Sequence, residues 1–175
     1  LMLILALALA TVSGAQAATC EKPLDPAAAE AMAAKLLRAL PTKVDGWRAG
    51  RRSKSIGAVG APKGCPEPYA IGSYHKGDCA VFVSLYYLAR GIARTRDNFS
   101  KKPYKGPRRQ GKVEIFRLDV PVTRGAKETV LHEVAAFDGR VAVFFMHPKA
   151  SIGACAPLDA ILKIVDLQNL PTDGN

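Results

Sequence analysis

Hydrophobic positions at helical spacing predict an amphipathic helix near the start of the chain. Asp25 followed by Pro26 indicates where it begins, because an aspartate side chain caps free N–H groups and proline fits the first helical position. The alanine-rich run that follows ends before Pro41. The predicted buried stripe comprises Met32, Leu36, Leu37 and Leu40.

Alternating apolar and polar residues in the middle of the chain predict antiparallel strands. Segments 69–74 and 79–88 flank the turn-forming residues 75–78, which indicates a hairpin. Both faces of the second strand are largely apolar, so we expect a central strand that is covered on both sides or nearly so. Segment 48–54 is typical of a short edge strand, and 112–120 of a further strand.

A second hairpin is predicted where Asp138-Gly139 separates two β-rich runs, 129–137 and 140–147. If these two residues form the turn, Phe137 pairs with Arg140.

The C-terminal pattern predicts a closing amphipathic helix over 157–170, and Pro171 ends it. Its apolar stripe comprises Leu158, Ile161, Leu162 and Val165. The order of elements predicts an α+β domain. We expect an antiparallel sheet of about five or six strands, with the N- and C-terminal helices packed on one face.

The first residues have the pattern of a signal peptide for export. An apolar run over 1–12 precedes Ala15 and Ala17, which form an A-x-A cleavage site. An apolar stretch of about twelve residues is too short to span a bilayer, which takes about twenty. We predict a signal peptide at 1–17, a single domain at 18–175 without a transmembrane segment, and a periplasmic or secreted bacterial location. Lipidation of Cys20 is an alternative, although Thr19 before it is poorly suited.

Four cysteines in an oxidising compartment favour two disulfides. They are Cys20, Cys65, Cys79 and Cys155. Three connectivities are open, with a mild preference for Cys65 with Cys79, which leaves Cys20 with Cys155. No pair has C-x-x-C spacing, so a thioredoxin-like redox site and a zinc ribbon are not indicated.

The net charge of +10 is concentrated in two segments. A basic loop is predicted at about 90–112, where a single acid, Asp97, accompanies nine basic residues. These are Arg90, Arg94, Arg96, Lys101, Lys102, Lys105, Arg108, Arg109 and Lys112. The second cluster comprises Lys43, Arg48, Arg51, Arg52 and Lys54. Such a loop either keeps the protein soluble or forms a surface for an anionic partner.

The partners that fit this charge outside the cytoplasm are anionic lipid, envelope polysaccharide or an acidic protein. Nucleic acid is disfavoured, because Phe99 and Tyr104 are the only aromatic residues in the basic segment.

Sequence motifs for catalysis are absent: the chain has no G-x-S-x-G, P-loop, dinucleotide fingerprint or H-E-x-x-H motif. No cofactor is predicted. His132 and His147 are expected as diagonal neighbours about 7 to 8 Å apart, and they need a third ligand to hold a metal. The simpler interpretation is that they pack within the fold or at its rim. Glu133 or Asp78 could supply an acid, but Glu133 alternates away from His132.

Four short motifs carry a family resemblance. They are Leu40-Pro41, Gly46-Trp47, the run Tyr74-His75-Lys76-Gly77-Asp78, and Asp138-Gly139-Arg140-Val141. In this arrangement the chain resembles small secreted proteobacterial proteins of unassigned function. The resemblance implies an envelope protein without a known catalytic site.

The sequence therefore predicts a non-enzymatic periplasmic binding or accessory protein. Its basic loop would contact an anionic envelope component or an acidic partner. The alternative hypothesis is a small metal-dependent or hydrolytic periplasmic enzyme that uses His132 and His147.

Overall fold

Three helices and seven strands follow one another in the described part of the chain. The computed structural model describes residues 20–57, 65–89, 91–99, 105–124, 127–148 and 157–171. The predicted signal peptide and Cys155 lie outside these ranges. The elements are α1 (Pro26–Ala39), β1 (Arg48–Ile56), β2 (Pro68–Lys76), β3 (Cys79–Tyr87), α2 (Ala93–Phe99), β4 (Lys105–Gln110), β5 (Val113–Arg124), β6 (Lys127–Asp138), β7 (Val141–Pro148) and α3 (Leu158–Leu162).

Helix α1 forms where the sequence predicts it. The Asp25 carboxylate accepts a hydrogen bond of 2.7 Å from the backbone N–H of Ala28, and Pro26 occupies the first turn. Met32 and Leu36 are buried, whereas Leu37 is only partly buried.

The strands form one antiparallel sheet of seven strands in the order β1-β2-β3-β7-β6-β5-β4. The expectation of an antiparallel sheet with a few helices is confirmed, with more strands than the five or six predicted. Segment 48–54 lies in β1, at one edge of the sheet, as predicted. Strand β4 forms the other edge.

Three hairpin turns have the same arrangement, with glycine at the first of the two turn positions. The pairs that close them are Lys76 with Cys79, Gln110 with Val113, and Asp138 with Val141. Each turn glycine has a positive φ, and no described residue other than glycine does. This pattern is typical of type II′ turns. The second predicted hairpin is therefore confirmed, but its turn is Gly139-Arg140 and not Asp138-Gly139.

One face of the sheet, which we call the covered face, carries the main core. Val83, Leu85 and Phe145 are fully buried there. Helix α1 packs over β1 and β2, while apolar residues of segment 161–170 join the same core. Trp47, 8% exposed, packs within this core.

The C-terminal helix is shorter than predicted. It ends at Leu162, and the chain then continues through turns to Pro171. The carboxylate of Asp166 accepts hydrogen bonds from the backbone of Gln168 and the side chain of Asn169, which favours a turn over further helix. The apolar residues of this segment are nevertheless buried, among them Ile164, Val165, Leu167 and Leu170.

A disulfide joins Cys20 to Cys65, so the favoured pairing of Cys65 with Cys79 is wrong. Cys65 lies before β2, whereas Cys79 follows the hairpin turn at the far end of that strand. At about 3.3 Å per residue, the strand separates the two cysteines by about 30 Å. Cys79 is also disulfide-bonded, to a partner outside the described residues.

Within the ranges given above, no helix is long and apolar enough to cross a membrane.

Candidate binding face

The second face of the sheet, which we call the open face, is only partly covered. At one end, Phe116, Phe137 and Leu88 form a small buried cluster, and Ile92, just before α2, packs against it. Farther along the same face, Phe82 on β3 is 44% exposed. Strand β3 is central, as predicted, but Phe82 leaves its cover on this face incomplete.

Five aromatic rings form a continuous row across the open face, which we call the aromatic row. Tyr69 and Tyr86 stack with their centroids 5.4 Å apart, and Tyr86 meets Phe144 edge to face at 5.6 Å. The row continues from Phe144 to Phe137 at 6.2 Å and from Phe137 to Phe116 at 5.8 Å.

Burial decreases along the aromatic row. Phe116 and Phe137 are 1% and 3% exposed, whereas Phe144, Tyr86 and Tyr69 are half-buried. The Tyr69 end of the row, together with Phe82, is thus the part of this face that a ligand can reach.

Hydroxyl groups border the accessible rings. The register pairs Ser55 with Tyr69 and Ser73 with Phe82, which places both serines on the open face. Burial is the main cause that raises the pKa of Tyr86, and the neighbouring Tyr69 adds to it, while a hydrogen bond with Ser84 acts in the opposite direction. The Tyr86 hydroxyl therefore stays protonated and able to donate a hydrogen bond.

The edge strand next to these rings, β1, carries four basic residues and no acid. Arg48 is exposed and pairs in register with His75, and Arg51 is exposed in the irregular stretch between Ala49 and Arg52. Arg52 donates a hydrogen bond of 2.5 Å to the carbonyl of Leu40. Lys54, the fourth, forms an ion pair with Glu30 on α1.

The predicted basic loop contains α2 and β4, and its described cations largely face acids. Arg96 and Arg109 both bind Glu114, which lowers the pKa of that carboxyl, mainly through the hydrogen bond from Arg96. Arg108 pairs with Asp159 at 3.2 Å.

The two lysines of this segment with described side chains differ in their surroundings. Lys112 pairs with Asp138 at 2.8 Å, whereas Lys105 is exposed on the edge strand. Arg90, Lys101 and Lys102 lie outside the described residues, as does the side chain of Arg94.

The two histidines of the second hairpin are paired directly and are not diagonal neighbours. His132 lies opposite His147 because the turn is shifted by one residue relative to the prediction. His75 pairs with Ala80, which places it on the open face, whereas the register places His132 and His147 on the covered face. The three histidines therefore do not share a face.

The acids considered as partners for these histidines also lie elsewhere. Glu133 pairs with Met146 on the open face, and Asp78 is a turn residue. Among the side chains that the structure describes, no group of three His, Cys, Asp or Glu residues could hold a metal ion.

The aromatic row was not predicted from the sequence, although the first hairpin contains the information that pairs two of its rings. Extending the pairing of Lys76 with Cys79 along the hairpin brings Tyr69 opposite Tyr86. Phe144 joins the row through the pairing of β3 with β7, which is not a hairpin and leaves no local signal.

Comparison of the chain with protein-family models, with curated protein sequences and with solved structures gave no match.

Proposed function

We propose that this protein is an exported, non-enzymatic binding protein that binds an anionic envelope polysaccharide on its open face. The observation that carries the proposal is the accessible end of the aromatic row, bordered by serines and by a basic edge strand. The proposal keeps the anionic partner predicted from the charge. It assigns the main contact to β1 and its neighbours in place of the segment 90–112.

The aromatic part of this surface suits sugar rings. A pyranose presents C–H groups on one side, and these pack favourably against an aromatic ring. Phe82 is the most exposed of the described rings, and Tyr69 and Tyr86 add amphipathic rings that combine apolar area with a hydroxyl. Binding sites of this kind usually combine apolar rings with a few placed polar groups.

The polar part suits sugar hydroxyls and acid groups. Ser55, Ser73 and the protonated Tyr86 hydroxyl can exchange hydrogen bonds with a glycan. Arg48 and Arg51 supply positive charge for carboxylate or sulfate groups beside them. The described cations of segment 90–112 are less available, because Arg96, Arg108, Arg109 and Lys112 already face acids.

The cysteines support export. Cys20 and Cys65 form a disulfide and Cys79 is disulfide-bonded, as expected in an oxidising compartment. The A-x-A pattern at Ala15 and Ala17 supports it further, because it is typical of a signal-peptide cleavage site.

Binding of the purified, oxidised protein to immobilised alginate and heparin tests the proposal, with neutral dextran as the reference polymer. We expect binding to the two anionic polymers that weakens with added salt. Phe82→Ala and the double variant Arg48→Gln, Arg51→Gln should each lower the affinity by about tenfold or more, which is about 1.4 kcal/mol.

The matched control is the double variant Lys105→Gln, Arg108→Gln, which removes the same charge from the opposite edge strand. It should bind like the unmodified protein. If only this control loses binding, the contact lies on segment 90–112, and the open face is not the site. Stronger binding to anionic vesicles or to single-stranded oligonucleotides than to both polysaccharides would overturn the choice of partner.

A further inference from the structure

Glycine at position 50 leaves a small open space above two polar side chains of β2, which we call the glycine notch. The break in the register of β1 leaves two residues, Gly50 and Arg51, opposite Ser73. A methyl group on Gly50 would overlap the Ser73 hydroxyl and would lie 3.2 Å from Nε2 of His75. Both polar atoms therefore converge on the point that a side chain at position 50 would occupy.

The side chains around the glycine notch are available to a ligand. Arg48 pairs in register with His75 and so lies on the same face, and Arg51 is exposed beside Gly50. Within the described part of the chain, no hydrogen bond or ion pair engages the side chains of Arg48, Arg51, Ser73 and His75. Strands β1, β2 and β3 contain no aspartate or glutamate, so no acid of these strands offsets the two guanidinium charges.

This set of donors suits a tetrahedral oxyanion. A phosphate or sulfate ester presents three outer oxygens that point in different directions. A hydroxyl, an imidazole nitrogen and guanidinium groups can donate to them from several sides, and the bonds from arginine are charge-assisted. A carboxylate has only two oxygens in one plane and satisfies fewer of these donors at once. The missing side chain of Gly50 lets the ligand approach the strand closely.

We propose that the glycine notch binds a phosphate or sulfate ester group of a glycan. This assignment rests on the proposed function, because it identifies the acid group of the polysaccharide bound on the open face. Ser73 pairs in register with Phe82, and directly paired residues have Cβ atoms about 4.5 to 5.5 Å apart. One sugar unit that carries the ester can therefore contact both the notch and the exposed ring of Phe82.

Binding of the purified, oxidised protein to three substituted dextrans tests the assignment. Dextran sulfate, dextran phosphate and carboxymethyl dextran of equal charge density share one sugar backbone and differ only in the acid group. We expect at least one of the two esters to bind about tenfold or more tightly than carboxymethyl dextran. The ester that binds more tightly identifies the group for which the notch is suited.

Gly50→Ala is the decisive variant, because its methyl group fills the notch. Gly50 does not have a positive φ, so alanine fits the backbone there, and the Ser73 hydroxyl can rotate away. This variant should lose the preference for the ester, with an affinity about tenfold lower for that polymer. Ser73→Ala and His75→Ala should each reduce the same preference. They decide the question if circular dichroism shows that Gly50→Ala does not fold.

Lys76→Gln is the matched control, because Lys76 follows His75 on β2 and lies on the opposite face. It removes one positive charge near the notch and should keep the preference for the ester. Equal affinity for the three polymers overturns the assignment, as does an unchanged preference in the folded notch variants or an equal loss in Lys76→Gln. Loss of polymer binding in Phe82→Ala would then still support the proposed function. Absence of binding to all three polymers overturns both.

Discussion

The guanidinium of Arg96 on α2 binds the carboxylate of Glu114 on β5 through two hydrogen bonds, from Nε to Oε2 and, at 2.9 Å, from Nη2 to Oε1. Arg109 on β4 donates a further bond of 3.1 Å to the same carboxylate. A single acid thus joins the short helix and the edge strand to the sheet. Arg96 and Arg109, which were predicted to belong to a basic binding surface, therefore have a structural role.

Replacing Glu114 tests this role. In Glu114→Gln, Arg96 and Arg109 lose their anionic partner, so we expect a lower midpoint of urea denaturation at neutral pH. The bound arginines lower the pKa of Glu114 from its ordinary value of 4.5. Its stabilising contribution is therefore present above that value and is lost as the pH falls through the lower value of the folded state.

The difference in midpoint between the unmodified protein and Glu114→Gln should accordingly shrink at acid pH. Arg108→Gln is the control, because Arg108 and Asp159 are 63% and 69% exposed and such pairs contribute little. An equal loss of stability in both variants would contradict the role assigned to Glu114.

The buried hydroxyl of Tyr74 should make the protein less stable at alkaline pH. Burial raises the pKa of its hydroxyl from 10.0 to about 12, against the lowering effect of Arg52. Between these values the unfolded chain releases the proton while the folded protein keeps it, so stability falls as the pH rises. The loss is on the order of 3 kcal/mol when the full range has been crossed.

The measurement is chemical denaturation across this alkaline range. The Tyr74 hydroxyl also donates a hydrogen bond of 3.0 Å to the carbonyl of Pro41, so Tyr74→Phe should be less stable by about 1 kcal/mol at neutral pH. The stability of Tyr74→Phe should then decline less steeply with pH. Parallel pH profiles for the two proteins would show that Tyr74 is not the titrating group.

The disulfide between Cys20 and Cys65 should contribute substantially to stability. It closes a loop with a sequence separation of 45 residues, for which chain entropy gives about 4 kcal/mol. We expect the double variant Cys20→Ala, Cys65→Ala to unfold at a clearly lower temperature in calorimetry. A melting temperature within one or two degrees of the unmodified protein would rule out this entropic contribution.

Two phenylalanines on opposite faces of the sheet should respond differently to truncation. Phe145 is fully buried, so Phe145→Ala should cost about 3 to 5 kcal/mol. Phe82 is 44% exposed, so Phe82→Ala should change the free energy of unfolding by much less. Urea denaturation compares the two. A large loss in Phe82→Ala would mean that this ring is part of the core and not a binding element.

Local signals predicted local structure. The Asp25-Pro26 start and both hairpins are confirmed because caps and turns are encoded by adjacent residues. The register of the second hairpin is wrong by one residue, since Asp-Gly fits one turn type but the structure uses Gly139 at the first turn position. A shift of one residue changes every cross-strand pair, including His132 with His147.

Relationships between distant segments were not predictable. The ion pairs of Arg96 and Arg108 depend on Glu114 and Asp159, which are 18 and 51 residues away. The aromatic row likewise needs the pairing of β3 with β7, which no hairpin defines. The sequence shows the basic segment, but it does not show which distant acids lie beside its cations in the fold.

The two edge strands determine how this sheet can meet another molecule. Both are rich in arginine and lysine and both have a break in register, and β4 also contains Pro107. A peptide therefore cannot easily extend the sheet by main-chain pairing. The ligand binding proposed for the open face would therefore depend on side chains, and single substitutions of exposed residues there should change it without altering the fold.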